Sequence, residues 1–283
     1  MGNIIDAICE VIKSPMHQLD SYAKSHNRVN SMGEALEEYI KDVFSGTVNE
    51  SNFKKRDQLI SESFSYLGNQ NNPPDSMLIN GGDAIEVKKI ESPNSALALN
   101  SSYPKAKIYA NSSMINQTCR DCEDWSIRDI IYAVGVVDGK NLNSLAFIYG
   151  MDYCADKDVY ERIKLTIKNG VESITDVEFA ETKELGRVNR VDPLGITYLR
   201  VRGMWHIENP FKVFENIYKR NNSNNFNFMA LINETKFKTL DNVNKLDELA
   251  QTDTNVTIKN VRIKNPNNPA KLLDAKLITF FVR

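Results

Sequence analysis

Residues 130–137 read Ile-Ile-Tyr-Ala-Val-Gly-Val-Val, a run that is apolar on both parities. A strand of this kind must be covered on both faces, so it belongs in the middle of a sheet with layers above and below it. A second strand, 144–151, follows through Asp138-Gly139-Lys140-Asn141. A chain of 283 residues can bury a sizeable core around such a sheet.

The flanking segments supply the layers. Residues 3–13 fit a short amphipathic helix stopped by Pro15. Ser31 and Glu34 have the form of a capping box, and Leu36, Ile40, Val43 and Phe44 make the apolar stripe of a helix over 32–44. A polar helical stretch is expected over 51–66, then a turning or extended segment from Asn71 through Pro73, Pro74 and Asp75. Strands at 76–80 and 83–90 flank Gly81-Gly82 as a hairpin. Further on, the pattern predicts a helix over 157–168 ending at Gly170, a strand at 196–202 and a helix over 210–219 capped by Asn209. A strand from Phe226, a helix over 240–250 and strands at 256–263 and 275–282 complete it. The expectation is a single α/β domain, 1–283, with a central mixed β-sheet flanked by helices.

Within that frame one hairpin carries chemistry. Asp75 follows Pro74, and ten residues separate it from Glu86-Val87-Lys88 on the second strand. Alternation puts Glu86 and Lys88 on one strand face and Ile85 and Val87 on the other. Pairing across the turn brings Asp75 near Glu86, so two carboxylates and an ammonium converge. Hard oxygen ligands of this kind suit Mg²⁺, which keeps waters and accepts phosphate oxygens. Such an ion activates water and neutralises charge at a phosphodiester, and the lysine positions or deprotonates the attacking water. Glu-x-Lys alone is common: Glu181–Lys183 and Glu234–Lys236 also fit, but neither has a Pro-Asp and a turn before it. The bland alternative is a solvated hairpin face with an incidental ion pair.

This arrangement resembles the PD-(D/E)xK nuclease superfamily, and Gly33 to Glu37 resembles its first-helix pattern, which implies that Glu37 reaches toward the metal. Glu34 is explained as the capping partner and Glu38 as a solvated neighbour. More closely, the segments ALEEY (35–39), FSYLGN (64–69), NPPD (72–75), DAIEVKKIES (83–92), SALALNSSYPKAK (95–107) and CRDCEDW (119–125) look like the NgoPII-type restriction endonucleases. The likeness is clearest over about 30–155, the expected catalytic core. It implies a restriction-endonuclease-like fold and a type II enzyme that cuts both strands of GGCC with Mg²⁺ (Mn²⁺ substituting). It also implies Asp75 and Glu86 holding the metal with the Val87 carbonyl, and products with a 5′-phosphate and a 3′-hydroxyl. A palindromic target implies a homodimer, and a restriction enzyme implies a cognate DNA methyltransferase. Two alternatives remain open: a structure-specific or repair nuclease of the same fold, and a catalytically silent DNA-binding protein.

Charge is distributed to match. Thirty-five Lys and Arg against 37 Asp and Glu exclude a globally basic nucleic-acid coat. Yet 183–220 holds eight basic residues against four acidic, and 255–283 six against one. DNA-recognition elements are therefore expected over about 183–283. Arg187, Arg190, Arg200 and Arg202 are candidates for reading guanine edges, and Lys259, Arg262 and Lys264 for gripping phosphates. Ser102, Tyr103 and Lys105, just after the catalytic strand, are candidates for DNA contact. A solvated surface is the competing reading for each of them.

Cys119-x-x-Cys122, with Cys154 as a third ligand, could be part of a zinc site, but two packed thiols near Trp125 are favoured. The three histidines, His17, His26 and His206, are too scattered for a His-centred hydrolase. Apolar runs are too short to span a membrane, and residues 1–15 lack the basic front of a secretion signal. A cytoplasmic protein with reduced thiols is expected.

Overall fold

The computed structural model describes residues 2–20, 22, 31–68, 72–182 and 184–283; His26, Asn69, Asn71 and Lys183, named above, lie outside the described residues. Helix α1 (Ile4–Lys13) opens on Asn3, whose side chain accepts from the Ile5 and Asp6 amides while Asp6 accepts from the Asn3 amide. Helix α2 (Met32–Ser45) starts at Ser31, whose Oγ accepts from the Glu34 amide at 3.2 Å. Its buried stripe holds Leu36, Tyr39, Ile40, Val43 and Phe44. Helix α3 (Phe53–Ser63) stops short of the expected 66, because alternation takes over at once: Phe64 and Tyr66 are buried in β1 (Phe64–Leu67), which pairs with β2 (Ser76–Leu78).

Strands β2 and β3 (Ala84–Ile90) form the expected hairpin. Asn80 and Gly81 turn at φ 59° and 79°, and the Glu123 carboxylate accepts from both of their amides at 2.6 and 3.2 Å. Next come β4 (Leu97–Asn100), β5 (Lys107–Tyr109) and α4 (Gln117–Asp121), none of which the pattern announced. The two central strands follow, β6 (Ile127–Asp138) and β7 (Asn141–Tyr149). Strand β7 ends two residues early in α5 (Gly150–Tyr153). Gly150 is the pivot, since a Cβ there would lie 2.3 Å from the Lys105 carbonyl oxygen.

Helix α6 (Lys157–Glu172) runs through Gly170 rather than ending there, its last turn held where Val171 packs on Gly186. Strands β8 (Glu178–Phe179), β9 (Gly186–Asn189) and β10 (Leu199–Val201) form a small separate sheet. Residues 196–198 are not strand, because the Asp192 carboxylate gathers the Leu194 and Thr197 amides into a turn. Strand β11 (Trp205–Ile207) pairs with β4. Helix α7 (Pro210–Val213) is much shorter than expected; Phe214 leaves helical geometry and buries its ring near Tyr153. The chain closes with β12 (Phe226–Asn233), α8 (Glu234–Phe237), α9 (Asn244–Thr252), β13 (Thr257–Asn265) and β14 (Asn268–Val282). Strand β14 begins earlier than 275 because a tight turn makes β13 and β14 one long hairpin.

The large mixed sheet runs β1-β2-β3-β6-β7-β12-β14-β13, with β5 added to β6. Pairings β3–β6 and β7–β12 are parallel; β6–β7 and β12–β14 are antiparallel. The helix α1–α2 layer packs one face with Ile85, Val87, Phe147 and Phe228. The loop after β4, α5 and α7 pack the other with Ile130, Tyr132, Ile148 and Leu231. This is the α/β, helix-flanked mixed sheet of a restriction-endonuclease-like fold, and doubly apolar β6 stands inside it as its sequence requires. Among the described residues no helix is long and apolar enough to cross a membrane.

Candidate active site

Asp75 enters from the loop before β2, and Glu86 and Lys88 from alternate positions of β3. The Asp75 amide donates to the Ile85 carbonyl at 3.1 Å, and the Val87 amide donates to Asp75 Oδ2 at 2.6 Å. These two bonds clamp the aspartate against the strand beside Glu86. Ile85 and Val87 point into the α2 side of the core, so Glu86 and Lys88 point the other way. Lys88 Nζ pairs with Glu86 Oε1 at 2.7 Å. Glu86 Oε2 is buried and has no hydrogen-bond partner among the described residues. A buried carboxylate oxygen left without a donor is costly.

The electrostatics sharpen the same point. Burial pushes the Asp75 carboxyl up to about 8, and the charge of Glu86 adds to the shift. Burial also works against the Lys88 ammonium, but the charges of Glu86 and Asp75 outweigh it and hold the lysine protonated above its ordinary range. Glu37, on α2, is pushed up by burial against the pull of Lys41 and Lys88. It stands within electrostatic reach, yet among the described residues no cluster of three Asp, Glu, His or Cys side chains forms. An aspartate whose negative charge is disfavoured beside Glu86, and a glutamate with an oxygen lacking a donor, fit a divalent cation that completes its shell with backbone, water and phosphate oxygens.

The cleft around them measures about 410 Å³ and also takes in Asn72, Ser102, Arg202 and Met204. Of the expected DNA-contacting residues, Ser102 and Arg202 thus share it with Asp75, Glu86 and Lys88. Lys105 does not project into solvent: it is buried, with its Nζ on Ser102 Oγ and the Tyr103 carbonyl, and burial lowers its pKa to about 8. Tyr103 donates to Glu161 at 2.9 Å and stacks on Tyr160. Arg187 and Arg200 are cross-strand neighbours on β9 and β10, Arg187 lies over the Tyr198 ring, and Arg190 pairs with Glu178. Arg200, on β10, and Arg202, just beyond it, both pair with Glu184. Lys259, Arg262 and Lys264 lie on β13, at the opposite edge of the sheet from β1, and the structure does not bring them to the cleft.

Several neighbours were not foreseen. Glu38 is not a solvated bystander: it pairs with Lys41 and, at 2.9 Å, with Arg56, which also grips fully buried Asp42. Glu123 organises the hairpin turn, and its signal, an acid after Cys-x-x-Cys, has no local meaning. Cys119 packs against Met77, with the Trp125 indole donating to its carbonyl. Burial pushes the Cys119 and Cys154 thiols up to about 12, which disfavours the thiolates that zinc needs.

The comparisons agree with the geometry. The model of the NgoPII restriction endonuclease family matches residues 2–264. The type II restriction enzyme NgoPII of Neisseria gonorrhoeae is 57% identical over 279 residues, 98% of this chain and 99% of that protein. No solved structure matches. On the family model's match and this identity over nearly the whole of both chains, the chain belongs to the NgoPII restriction endonuclease family.

Proposed function

We propose that the chain is a type II restriction endonuclease that hydrolyses phosphodiester bonds in double-stranded DNA at GGCC, with Mg²⁺ held by Asp75, Glu86 and the Val87 carbonyl. The unpartnered buried oxygen of Glu86 beside protonation-prone Asp75 is the observation that carries the metal assignment. When bound, the ion neutralises charge on the scissile phosphate and acidifies water; Mn²⁺ substitutes for it. Lys88, kept as an ammonium by its two carboxylates, orients the attacking water and stabilises charge developing on the phosphate rather than accepting a proton. Glu37 biases the charge of Lys88 and Glu86 from α2. Water adds to phosphorus as the bond to the 3′ oxygen breaks; the attacking water gives up a proton to bulk solvent and the leaving oxygen takes one from solvent, leaving a 5′-phosphate and a 3′-hydroxyl. Arg187, Arg190, Arg200 and Arg202 read bases beside the cleft, with Ser102 on its wall and Tyr103 and Lys105 shaping the wall behind; Lys259, Arg262 and Lys264 hold phosphates further along. The working unit is a homodimer matched to a palindrome, acting in the cytoplasm beside a cognate methyltransferase.

The test is digestion of a DNA of known sequence with Mg²⁺, followed by sequencing of the fragment ends. Discrete ends within GGCC are expected, with no cutting in EDTA. Ends elsewhere overturn the sequence assignment; a smear or junction-only cutting turns the reading to repair. Asp75→Ala and Lys88→Ala should retain DNA binding while cleavage falls by orders of magnitude, and wild-type rates in either would remove the site.

A further inference from the structure

The hairpin between β9 and β10 presents apolar side chains that nothing in the fold uses. Leu194 and Ile196 at its tip are 80% and 74% exposed, with Val191 beside them. The tip is nonetheless a built structure. Asp192 accepts from the Leu194 and Thr197 amides at 2.9 and 2.6 Å, and Val191 donates to the Thr197 carbonyl at 3.0 Å. Gly195 turns at φ 68° over the aliphatic part of Arg190. A loop that served only to connect strands would not be fastened so firmly with its aliphatic residues outward, since such exposure marks a contact surface.

Two observations identify the partner. The strands behind the tip and the residues next to them carry Arg187, Arg190, Arg200 and Arg202 against Glu178 and Glu184, a net positive collar suited to a polyanion. The hairpin is also continuous with the cleft, because Arg202 and Met204, just beyond β10, line it together with Asp75, Glu86 and Lys88. We infer that Leu194 and Ile196 form an apolar wedge that seats between base steps of the bound DNA while the arginines engage the base pairs beside it. Apolar side chains enter DNA in this way by partly unstacking a step and bending the duplex. Arg202 lies six positions after Ile196, a span of at most about 20 Å, so the wedged step lies within roughly six base pairs of the cleft. The inference rests on the nuclease reading, in that it presupposes DNA in this cleft.

The experiment places 2-aminopurine at each step across six base pairs on either side of the mapped cut, and reads its emission with wild type and with Leu194→Ser/Ile196→Ser in metal-free buffer. Both positions are exposed, so the variant folds normally. Wild type should raise emission several-fold at one position. The variant should lose that rise and bind about tenfold more weakly, as expected for unburying aliphatic side chains, with an unchanged dependence of affinity on salt. Its sedimentation mass should equal that of wild type. Unchanged emission at every position, with wild type binding and cutting the duplex, overturns the wedge. Loss of sedimentation mass with emission intact also overturns it and assigns the tip to a second copy of the chain. Adding Mg²⁺ to the same samples separates the two readings, since an uncut duplex overturns the nuclease itself.

Discussion

Asp75→Asn should stabilise the metal-free protein, and more so as pH rises. In the native state burial and Glu86 push the Asp75 carboxyl up from 3.8 to about 8, whereas in the unfolded chain it returns to its ordinary value. Between these values the native chain keeps a proton that the unfolded chain has released, so this carboxyl favours folding least at high pH. The sign follows: stability is complete below about pH 4 and is lost progressively up to about 8. One proton of difference is about 1.36 kcal/mol per pH unit, or about 2.7 kcal/mol between pH 5 and pH 7. Asp75 is partly solvent-exposed, so about 1–2 kcal/mol is the expected share. For a chain of this size that moves Tm by roughly 2–6 °C. Asparagine keeps the shape and can still accept from the Val87 amide. The assay is Tm in EDTA at pH 5, 7 and 9 for both proteins: the gap should widen to pH 7 and level off above 8. Parallel curves would refute the claim that burial and the Glu86 charge hold the proton on Asp75. In the native protein saturating Mg²⁺ should close the gap, because the cation takes the place of the proton.

Glu37→Gln should lower kcat about tenfold with little change in KM, because Glu37 acts on Lys88 and Glu86 through charge rather than through DNA; single-turnover cleavage measures it, and an equal rise in KM would argue for a binding role. Arg56→Ala should cost about 3–5 kcal/mol by stripping fully buried Asp42 of its guanidinium; urea denaturation with DNA binding as a foldedness check reads it, and a loss below 1 kcal/mol would show the pair to be incidental. Gly150→Ala should destabilise by about 1–3 kcal/mol and displace the Lys105 segment, since the added carbon meets a carbonyl oxygen at 2.3 Å that has little room to retreat; unchanged Tm and activity would show that the β7–α5 corner relaxes freely.

The central sheet and the β2–β3 hairpin were legible because each rests on a local rule. The doubly apolar run of β6 permits only an interior position, and Gly81-Gly82 fixes a turn that brings Asp75 beside Glu86. The burial of Lys105, a candidate for DNA contact by its placement after β3, has no local signal because it comes from Tyr132 and the α5 corner, far away in sequence. Strands β4 and β11 pair across more than a hundred residues, and neither has an alternation long enough to announce itself. Helix α3 was overrun by three residues because polar helix and edge strand share the same composition until Phe64 and Tyr66 are seen to be buried alternately. The orphaned oxygen of Glu86 has no counterpart in a sequence at all; it exists only once every possible donor has been placed.

Strand β3 alternates between two duties, and that alternation has an evolutionary consequence. Ile85 and Val87 answer to the core, Glu86 and Lys88 to the cleft proposed as the active site, and the backbone binds the two sets in lockstep. A single-residue insertion anywhere between Asp75 and Glu86 that shifts the ladder would exchange the sets and abolish both at once. Selection on this segment therefore acts through two separable currencies in adjacent codons. In a saturation scan, substitutions at 85 and 87 should deplete the protein from the cell, whereas those at 86 and 88 should leave its abundance intact and free the host from the need for methylation.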